Sequence, residues 1–146
     1  DLKNSHFIPS LIKKFVQSNK NKKREVEIWG SGRPKREIMY VDDIASAIFL
    51  LIKKKIFKNK FLINYLKKES VINIGSDNEY SIKKIAQIIK KTINNKSTLK
   101  FNRKYPDGTP RKILDSRVIK KLGWTPKMSL SEGLNKTLDW YYKNYN

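Results

Sequence analysis

The chain of 146 residues has no cysteine, six glycines, five prolines and a single histidine, His6. Without cysteine it can form no disulfide framework, no thiolate zinc site and no cysteine nucleophile. The low glycine and proline content excludes a collagen-like or low-complexity chain. No Ser-His-Asp arrangement and no set of metal ligands surrounds His6 in the sequence, so neither a metal site nor a local catalytic dyad is predicted.

Long hydrophobic runs are also missing. The longest apolar segment, residues 44–52, is interrupted by Ser46 and followed by three lysines. A membrane-spanning helix needs roughly 18 or more apolar residues in succession, so no membrane partner is expected. Hydrophobic residues make up 38% of the chain and aromatic residues 11%, which is enough for one continuous globular unit over residues 1–146.

The charge is strongly unbalanced, with a formal net charge of +20 and an isoelectric point near 10.1. Such a charge is typical of proteins that bind nucleic acid. However, only six of the 33 basic residues are arginine, and lysine is enriched throughout rather than in one stripe with interleaved aromatics. A compositional bias explains this pattern better than nucleic-acid binding, which is kept as an alternative. A basic field would in either case attract a phosphorylated small molecule.

The spacing of apolar residues alternates between the helical and the strand period, which predicts a mixed α/β fold with about five helices and three to five short strands. Ser81 is expected to cap one helix, and Asp42 and Asp43 to cap another and match the charge at its start. Ser129 and Glu132 form a capping-box pattern. Strand patterns cover residues 25–29, 71–74 and 99–101, and residues 38–41 are expected to be a short extended piece. Residues 53–69 are ambiguous, and Gly123 is placed to end a short helix that begins at Asp115 or Ser116.

Chemistry-bearing residues flank a turn at residues 30–32. Trp29 could cover a base and Arg36 could bind a phosphate, but residue type alone favours a buried strand-end tryptophan and a surface arginine. The Gly30-Ser31-Gly32 turn is not a dinucleotide fingerprint, because it lacks the third glycine and no helix is expected to begin there. The loop at residues 105–112 is rich in turn-forming and charged residues and is a candidate binding loop.

Five segments of the chain stand in a characteristic order and spacing: Asn4–Ile12, Ile28–Gly32, Arg36–Ile44, Ile72–Gly75 and Pro106–Lys112. Together they resemble the C-terminal half of the GDP-L-fucose synthases, members of the extended short-chain dehydrogenase/reductase superfamily. The Arg36–Asp43 block is shared by many members of the superfamily, whereas the histidine segment and the Pro106–Lys112 loop are more specific. The resemblance covers nearly the whole chain.

The resemblance implies an NADPH-dependent cytoplasmic enzyme that epimerises GDP-4-keto-6-deoxy-mannose at C3 and C5 and then reduces C4. The position matching His6 would supply the acid of epimerisation and lie against the cofactor, a role that suits a group titrating near neutral pH. The positions that would bind the GDP-sugar match Lys14, Trp29, Arg36, Asp107 and Lys112. Trp29 or a neighbour would cover the nucleotide, and Arg36 would pair with the diphosphate.

The sequence departs from the family at Lys14, where an arginine is usual, and ideal helix geometry places Lys13 nearer than Lys14 to the face of His6. The family's glycine-rich NADP-binding turn, its Ser and Tyr-x-x-x-Lys reduction machinery and its catalytic cysteine are not found in these residues. Residues 1–146 are therefore expected to be the GDP-sugar-binding part of a longer or two-part enzyme, inactive alone as a reductase and completed by an N-terminal Rossmann half that binds most of the NADP.

The absence of the N-terminal half from these residues has a consequence for the surface, and two alternative functions stay open. The seams at residues 71–75 and around His6 would be exposed and apolar without that half, which makes self-association into a homo-oligomer plausible. The alternatives are another NAD-dependent sugar-nucleotide epimerase or dehydratase of the same superfamily, and a basic nucleic-acid-binding module.

Overall fold

The computed structural model of this chain describes residues 6–55 and 58–145. Asn4 and Ser5, which begin the histidine segment, lie outside the described residues. Six α-helices are described: α1 Phe7–Lys20, α2 Val41–Lys53, α3 Lys60–Glu69, α4 Ile82–Thr92, α5 Arg117–Lys121 and α6 Leu130–Tyr145. Five short strands are described: β1 Glu25–Trp29, β2 Lys35–Glu37, β3 Glu79–Ser81, β4 Thr98–Asn102 and β5 Arg111–Lys112.

The strands form two small sheets. β1 pairs in parallel with β4 from Glu25 opposite Thr98 to Trp29 opposite Asn102. The second sheet has the order β3-β2-β5, in which Arg36 of β2 lies opposite Lys112 of β5 in a parallel register. Both sheets therefore join segments that are more than forty residues apart in the chain.

The chain divides into two compact units, each assembled from separated segments. The first comprises residues 1–36, 80–112 and 134–146, and the second comprises residues 37–79 and 113–133. No linker in the sequence marks this division, because the chain crosses between the units four times. Whether residues 1–146 act as one GDP-sugar-binding domain stays a prediction.

The first unit is built on α1, α4 and the β1-β4 pair. Every second residue of β1 is buried, as the alternating pattern predicts for a strand with one face on a core. The apolar positions of α1 and α4 at helical spacing supply the other side. The core residues of this unit are Leu11, Ile12, Phe15, Val26, Ile28, Ile85, Ala86, Ile89, Ile93, Leu134 and Leu138.

The second unit packs around Ala47, Ile119 and Trp124. The indole nitrogen of Trp124 donates to the hydroxyl of Ser46 at 2.8 Å, so this large ring is buried with its polar atom satisfied. Partly buried apolar residues surround the cluster, namely Met39, Leu50, Leu51, Ile72, Ile74 and Leu122.

Local capping signals in the sequence are confirmed at several helix ends. Ser81 accepts a hydrogen bond from the Lys84 amide at 3.1 Å at the start of α4. Ser129 and Glu132 exchange the expected capping-box bonds at the start of α6, at 3.2 and 2.9 Å. Gly123 follows α5 with a φ of +91°, the left-handed conformation expected there.

Other local expectations were wrong. Residues 71–74 are not a strand, because a strand requires hydrogen bonds to a neighbouring strand and none lies beside them among the described residues. The piece expected to be extended at residues 38–41 is extended at Tyr40, but its last residue, Val41, begins α2. α3 occupies part of the ambiguous segment at residues 53–69. Asp43 lies in the first turn of α2 but does not cap it. Its carboxylate accepts bonds from the amides of Lys127 and Met128, both at 3.0 Å.

One face of α2 is apolar and exposed. The side chains on this face are Val41, Ile44, Ile48, Phe49 and Ile52, with exposures between 38% and 67%. Val71, in the segment expected to form a seam, is 58% exposed. None of the described helices combines the length and apolar character needed to cross a membrane.

Candidate functional site

The turn after β1 requires glycine at both ends. Gly30 has a φ of +80° and Gly32 a φ of +74°, a region that favours glycine. A Cβ atom on Gly30 would collide with Oδ1 of Asp107, and one on Gly32 would collide with the ring of Phe101. The two glycines therefore allow this turn to approach β4 and the loop at residues 103–110.

Asp107 fastens that loop to the turn. Its carboxylate accepts a bond from the Ser31 amide at 2.7 Å and another from the Ser31 hydroxyl at 2.5 Å. These bonds hold the pKa of Asp107 below its ordinary value, assisted by the positive charges of Arg33 and Arg103. Asp107 is thus ionised and fixed near neutral pH.

Arg36 fastens the same loop from β2. Its Nη1 atom donates to the carbonyl oxygens of Lys35 at 2.6 Å and Thr109 at 2.7 Å. A methyl group on Gly108 would lie 3.3 Å from Nη2, so the loop backbone passes close to the guanidinium. Arg36 is half-buried, and it is held rigidly rather than free in solvent.

Trp29 ends β1 and is 52% exposed, so the interpretation as a buried strand-end tryptophan is wrong. The ring stacks on Tyr105 with centroids 4.3 Å apart and an interplanar angle of 16°. Its indole nitrogen donates to Glu27 Oε1 at 3.2 Å. Two half-exposed aromatic rings in a parallel stack form a rigid apolar platform beside the glycine turn.

Lys14 reaches the same platform from α1. Its ammonium lies 4.9 Å from the centroid of the Trp29 ring and donates to the Glu27 carbonyl at 3.0 Å. Partial burial lowers the pKa of Lys14, an effect that the Glu27 carboxylate opposes. A cation–π contact of this length is attractive and is strengthened where water is excluded.

His6 and Lys112 are less closely involved. His6 lies exposed at the N-cap position of α1, and its side chain makes no capping hydrogen bond. It begins the helix that carries Lys14, about 12 Å away along the helix axis at 1.5 Å per residue. Lys112 is exposed and lies opposite Arg36 in the β2-β5 register.

The described contacts therefore connect Lys14 with Trp29, the glycine turn with Asp107, and Arg36 with the loop at residues 107–110. Sequence reasoning placed Tyr105 in the candidate binding loop and Ser31 in the glycine turn, but it assigned neither residue a role. Tyr105 stands next to the Pro106–Lys112 segment and Ser31 stands between the two glycines, so both positions were visible, but nothing in the sequence indicated that they pair with Trp29 and Asp107.

The residues near the site do not fit a dinucleotide-binding turn. The glycine turn leads into β2 rather than a helix, and the space above Gly30 and Gly32 is filled by Asp107 and Phe101. Among the described residues, the resemblance implies a cofactor contact only for His6. Its side chain is exposed and makes no capping hydrogen bond, which is compatible with that role.

The family model of the NAD dependent epimerase/dehydratase family matches residues 1–75. GDP-L-fucose synthase 1 of Arabidopsis thaliana is 41% identical over 141 residues, covering 97% of this chain and 40% of its own length. GDP-L-colitose synthase of Yersinia pseudotuberculosis is 35% identical over 146 residues, covering all of this chain and 44% of its own length.

Among solved structures, a GDP-D-glycero-L-gluco-heptose synthase from Campylobacter jejuni superimposes with a TM-score of 0.81 at 27% identity, over 97% of this chain and 48% of that protein. These likenesses confirm the resemblance to the GDP-L-fucose synthases and the α/β fold class of the C-terminal part of an extended short-chain dehydrogenase/reductase. The chain spans less than half the length of these relatives. By its match to the family model and these likenesses, the chain belongs to the NAD dependent epimerase/dehydratase family.

Proposed function

We propose that the chain is the GDP-sugar-binding part of an NADPH-dependent enzyme of the GDP-L-fucose synthase type, which epimerises a GDP-4-keto-6-deoxy sugar and reduces C4. The observation that carries the proposal is the cluster around the glycine turn. Lys14, Trp29, Arg36 and Asp107 come from four separate segments. Lys14 lies over Trp29 of the platform, Arg36 donates to the bordering loop, and Asp107 of that loop accepts from the glycine turn. Independent surface residues would not be expected to meet in this way.

The cluster has the chemistry to hold a nucleotide sugar. The aromatic platform offers an apolar face for a base, and Lys14 and Arg36 offer positive charge for a diphosphate. Because Arg36 already donates to two carbonyls through Nη1, its contact with the diphosphate would use Nη2 and would be less than a full fork. Lys112, opposite Arg36, would add a point charge to the same edge.

His6 would move a proton in epimerisation. The C3 and C5 protons of the sugar are acidified by the neighbouring ketone, so the reaction needs a base on one face and an acid on the other. His6 supplies the acid in this proposal and its ring contacts the cofactor. NADPH, when bound, supplies the hydride that reduces C4, and most of its contacts would come from a nucleotide-binding half outside these residues.

The exposed apolar face of α2 supports that second half as a partner. Five large side chains at helical spacing face outward, which is unusual for a surface that meets only water. Determining the reading frame upstream of Asp1 tests this part of the proposal directly. A frame that carries a glycine-rich nucleotide-binding turn and a Tyr-x-x-x-Lys pattern is expected for a longer polypeptide. Absence of these motifs both from that frame and from any separate chain that co-purifies with this one contradicts the proposal. A cytoplasmic location stays a prediction.

The nucleotide preference of the full-length polypeptide is the sharpest test of the function. Titration with GDP, UDP and dTDP is expected to give the tightest binding with GDP, and a preference for UDP or dTDP would reassign the chain to another sugar-nucleotide epimerase or dehydratase. Arg36→Ala is expected to weaken GDP binding by at least ~1 kcal/mol through loss of a charge-assisted contact. Unchanged affinity would remove Arg36 from the site.

The role of His6 needs a readout of proton chemistry. His6→Ala in the full-length enzyme is expected to slow exchange of the sugar's C3 and C5 hydrogens with solvent deuterium while leaving GDP affinity unchanged. Normal exchange in this variant would assign the acid to another group.

A further inference from the structure

A second cleft lies at the opposite end of β1 and β4 from the glycine turn. Its volume is about 400 Å³, within the roughly 300–1,000 Å³ of pockets that hold a small molecule. The five residues of β1 separate it by roughly 17 Å from the turn at residues 30–32. The cleft, called here the lysine cleft, is lined by Lys22, Lys23, Arg24 and Lys96 around Ser18 and Ser97.

We propose that the lysine cleft binds a small non-aromatic molecule that carries two or more phosphate groups. The proposal is independent of the proposed function, because none of the lining residues belongs to the candidate site. The chain then has two separate anion sites, one at each end of the β1-β4 pair.

Neighbouring acids do not balance the charge of the lysine cleft. Four of the lining residues are cationic and none is acidic. Within the described part of the chain, the four cationic side chains form no ion pair and no hydrogen bond. The acid nearest to them in sequence, Glu25, pairs instead with Lys100 at 3.1 Å. Like charges around one cleft repel each other, so an anion bound between them relieves an unfavourable interaction.

Helix ends explain only part of this charge. α1 ends at Lys20 and α4 ends at Thr92, each a few residues before the lining segments. A helix C-terminus carries the equivalent of about half a negative charge, so two of them offset about one of the four positive charges. A lysine-rich composition also does not require segments 74 residues apart to bring their lysines to one cleft.

The floor of the lysine cleft is rigid. Ser18 and Ser97 are buried, and their hydroxyl oxygens lie 2.6 Å apart. The Ser97 hydroxyl also donates to the Lys23 carbonyl at 2.6 Å, and the Thr98 amide donates to the Arg24 carbonyl at 2.8 Å. These bonds fix the backbone that carries the cations, so less conformational freedom is lost when an anion binds.

The lining also selects the class of ligand. No aromatic residue lines the cleft, so it offers no ring on which a base could stack. A single phosphate monoester carries a charge of about −1.5 to −2 at pH 7 and would leave about half of the positive charge unmatched. Two or three phosphate groups match it. Three of the four cations are lysines, which bind phosphate as point charges and therefore accept more than one arrangement of phosphates.

The test measures binding of inorganic tripolyphosphate to the full-length polypeptide by calorimetric titration at fixed ionic strength. The cleft variant combines Lys22→Gln, Lys23→Gln and Lys96→Gln, all at exposed positions. Its affinity is expected to be lower than that of the unmodified protein by about tenfold or more, through loss of charge-assisted contacts. An absence of saturable binding to the unmodified protein would overturn the proposal.

The control variant combines Lys53→Gln, Lys54→Gln and Lys55→Gln and removes the same charge at the C-terminal end of α2. The two variants are also matched in backbone, because Lys22 and Lys55 both follow a helix and both have a φ of +49°. The affinity of the control is expected to fall by about twofold or less, since salt screens distant charges. Equal losses in the two variants would contradict the proposal, because they would report only the general positive field.

Arg36→Ala separates the lysine cleft from the candidate site. This variant is expected to bind GDP more weakly and tripolyphosphate like the unmodified protein. If Arg36→Ala loses tripolyphosphate binding and the cleft variant does not, the anion lies at the candidate site and the proposal fails. If GDP binding is unchanged in Arg36→Ala while only the cleft variant loses tripolyphosphate, the lysine cleft stands and Arg36 is removed from the proposed function.

A measurement on the unmodified protein covers the case of a poorly folded variant. Brief acetylation with acetic anhydride, followed by mass spectrometry, is expected to modify Lys22, Lys23 and Lys96 several-fold more slowly in the presence of tripolyphosphate. The lysines at residues 53–55 are expected to react at an unchanged rate. Equal protection of both groups, or protection of neither, would reject the lysine cleft.

A single-stranded oligonucleotide distinguishes a small phosphorylated molecule from nucleic acid. Decathymidylate is expected to lose affinity equally in the cleft and control variants, because without an aromatic ring to stack on it follows the general positive field. A loss confined to the cleft variant, and at least as large as the loss for tripolyphosphate, would overturn the small-molecule assignment and make the cleft part of a nucleic-acid-binding surface.

Discussion

Replacement of Gly30 by alanine tests whether the glycine turn and the Asp107 loop form one binding element. Gly30 has a φ of +80°, and a Cβ atom there would collide with Oδ1 of Asp107. Gly30→Ala therefore has two effects, backbone strain and displacement of the carboxylate that accepts both bonds from Ser31. The second effect should release the loop that carries Tyr105 and Thr109.

Gly123→Ala separates these two effects. Gly123 has a φ of +91°, but no atom lies within 4 Å of the position its Cβ would take. Placing a side chain in the left-handed region costs about 1–2 kcal/mol at either site. For a chain of 146 residues this corresponds to a fall in Tm of about 3 °C per kcal/mol. Gly123→Ala should show this loss alone.

The assay combines urea unfolding with GDP titration of the same samples. Both variants are expected to lose stability because of the backbone strain of a side chain in the left-handed region. Only Gly30→Ala is expected to bind GDP several-fold more weakly. If Gly30→Ala keeps full affinity for GDP, or if Gly123→Ala loses as much affinity, then docking of the loop by Asp107 does not prepare the site and the reasoning is refuted.

Three other predictions concern the scaffold. Asp43→Ala leaves the amides of Lys127 and Met128 without their buried acceptor, so urea unfolding should show a loss of about 2–3 kcal/mol, and a loss below about 0.5 kcal/mol would contradict this. Ser129→Ala should cost about 1 kcal/mol in the same assay through loss of the capping box, while no change would mean that the start of α6 is stabilised otherwise. Hydrogen bonds from Arg117 lower the pKa of Asp115 to about 2, so their stabilisation is complete above the ordinary carboxyl pKa and is lost as the pH falls toward 2. An NMR titration of Asp115 should show this low midpoint, and Arg117→Gln should raise it; an ordinary midpoint in the unmodified protein would contradict the pairing.

The helix ends were predictable because their signals are local. Ser81, Ser129 and Gly123 act within three residues of their own position, so the residue type and the following apolar spacing define the boundary. β1 was predictable for a similar reason, since alternation over five residues records its one buried face. In these elements the local preference and the tertiary packing agree.

The site itself was only partly predictable, because its contacts are not local. Ser31 and Asp107 are 76 residues apart, and Trp29 and Tyr105 are separated by the same distance in sequence. The glycine turn alone predicts no specific function, because its contacts depend on which loop packs against it. The resemblance to a family implied a site role for Trp29 and Asp107, which stays a prediction, and it gave no reason to single out Tyr105.

The strand expected at residues 71–74 was also wrong because strand pairing depends on contacts that are not local in sequence. The segment has the apolar, β-branched composition of a buried strand at Val71, Ile72 and Ile74. Such a composition indicates that the side chains can be buried, but it does not show that a neighbouring strand is present to pair with. Ile72 and Ile74 pack against the core of the second unit, while Val71 remains exposed. The segment therefore meets the packing requirement of a strand in part, without the hydrogen-bonded neighbour that would define one.

Arg36 and Glu37 show how one short strand serves two purposes. Side chains of consecutive strand residues point to opposite faces, so these two neighbours reach different surroundings. Arg36 donates to the Thr109 carbonyl, whereas Glu37 accepts bonds from the amides of Asp77 at 2.6 Å and Leu114 at 3.0 Å. A Cβ atom on Gly75 would lie only 2.6 Å from the Glu37 carboxylate, so this glycine is required by close approach rather than by its backbone angle. The Arg-Glu pair thus contacts the loop at residues 107–110 through Arg36 and residues of the second unit through Glu37, which gives the two charges a structural reason to be adjacent.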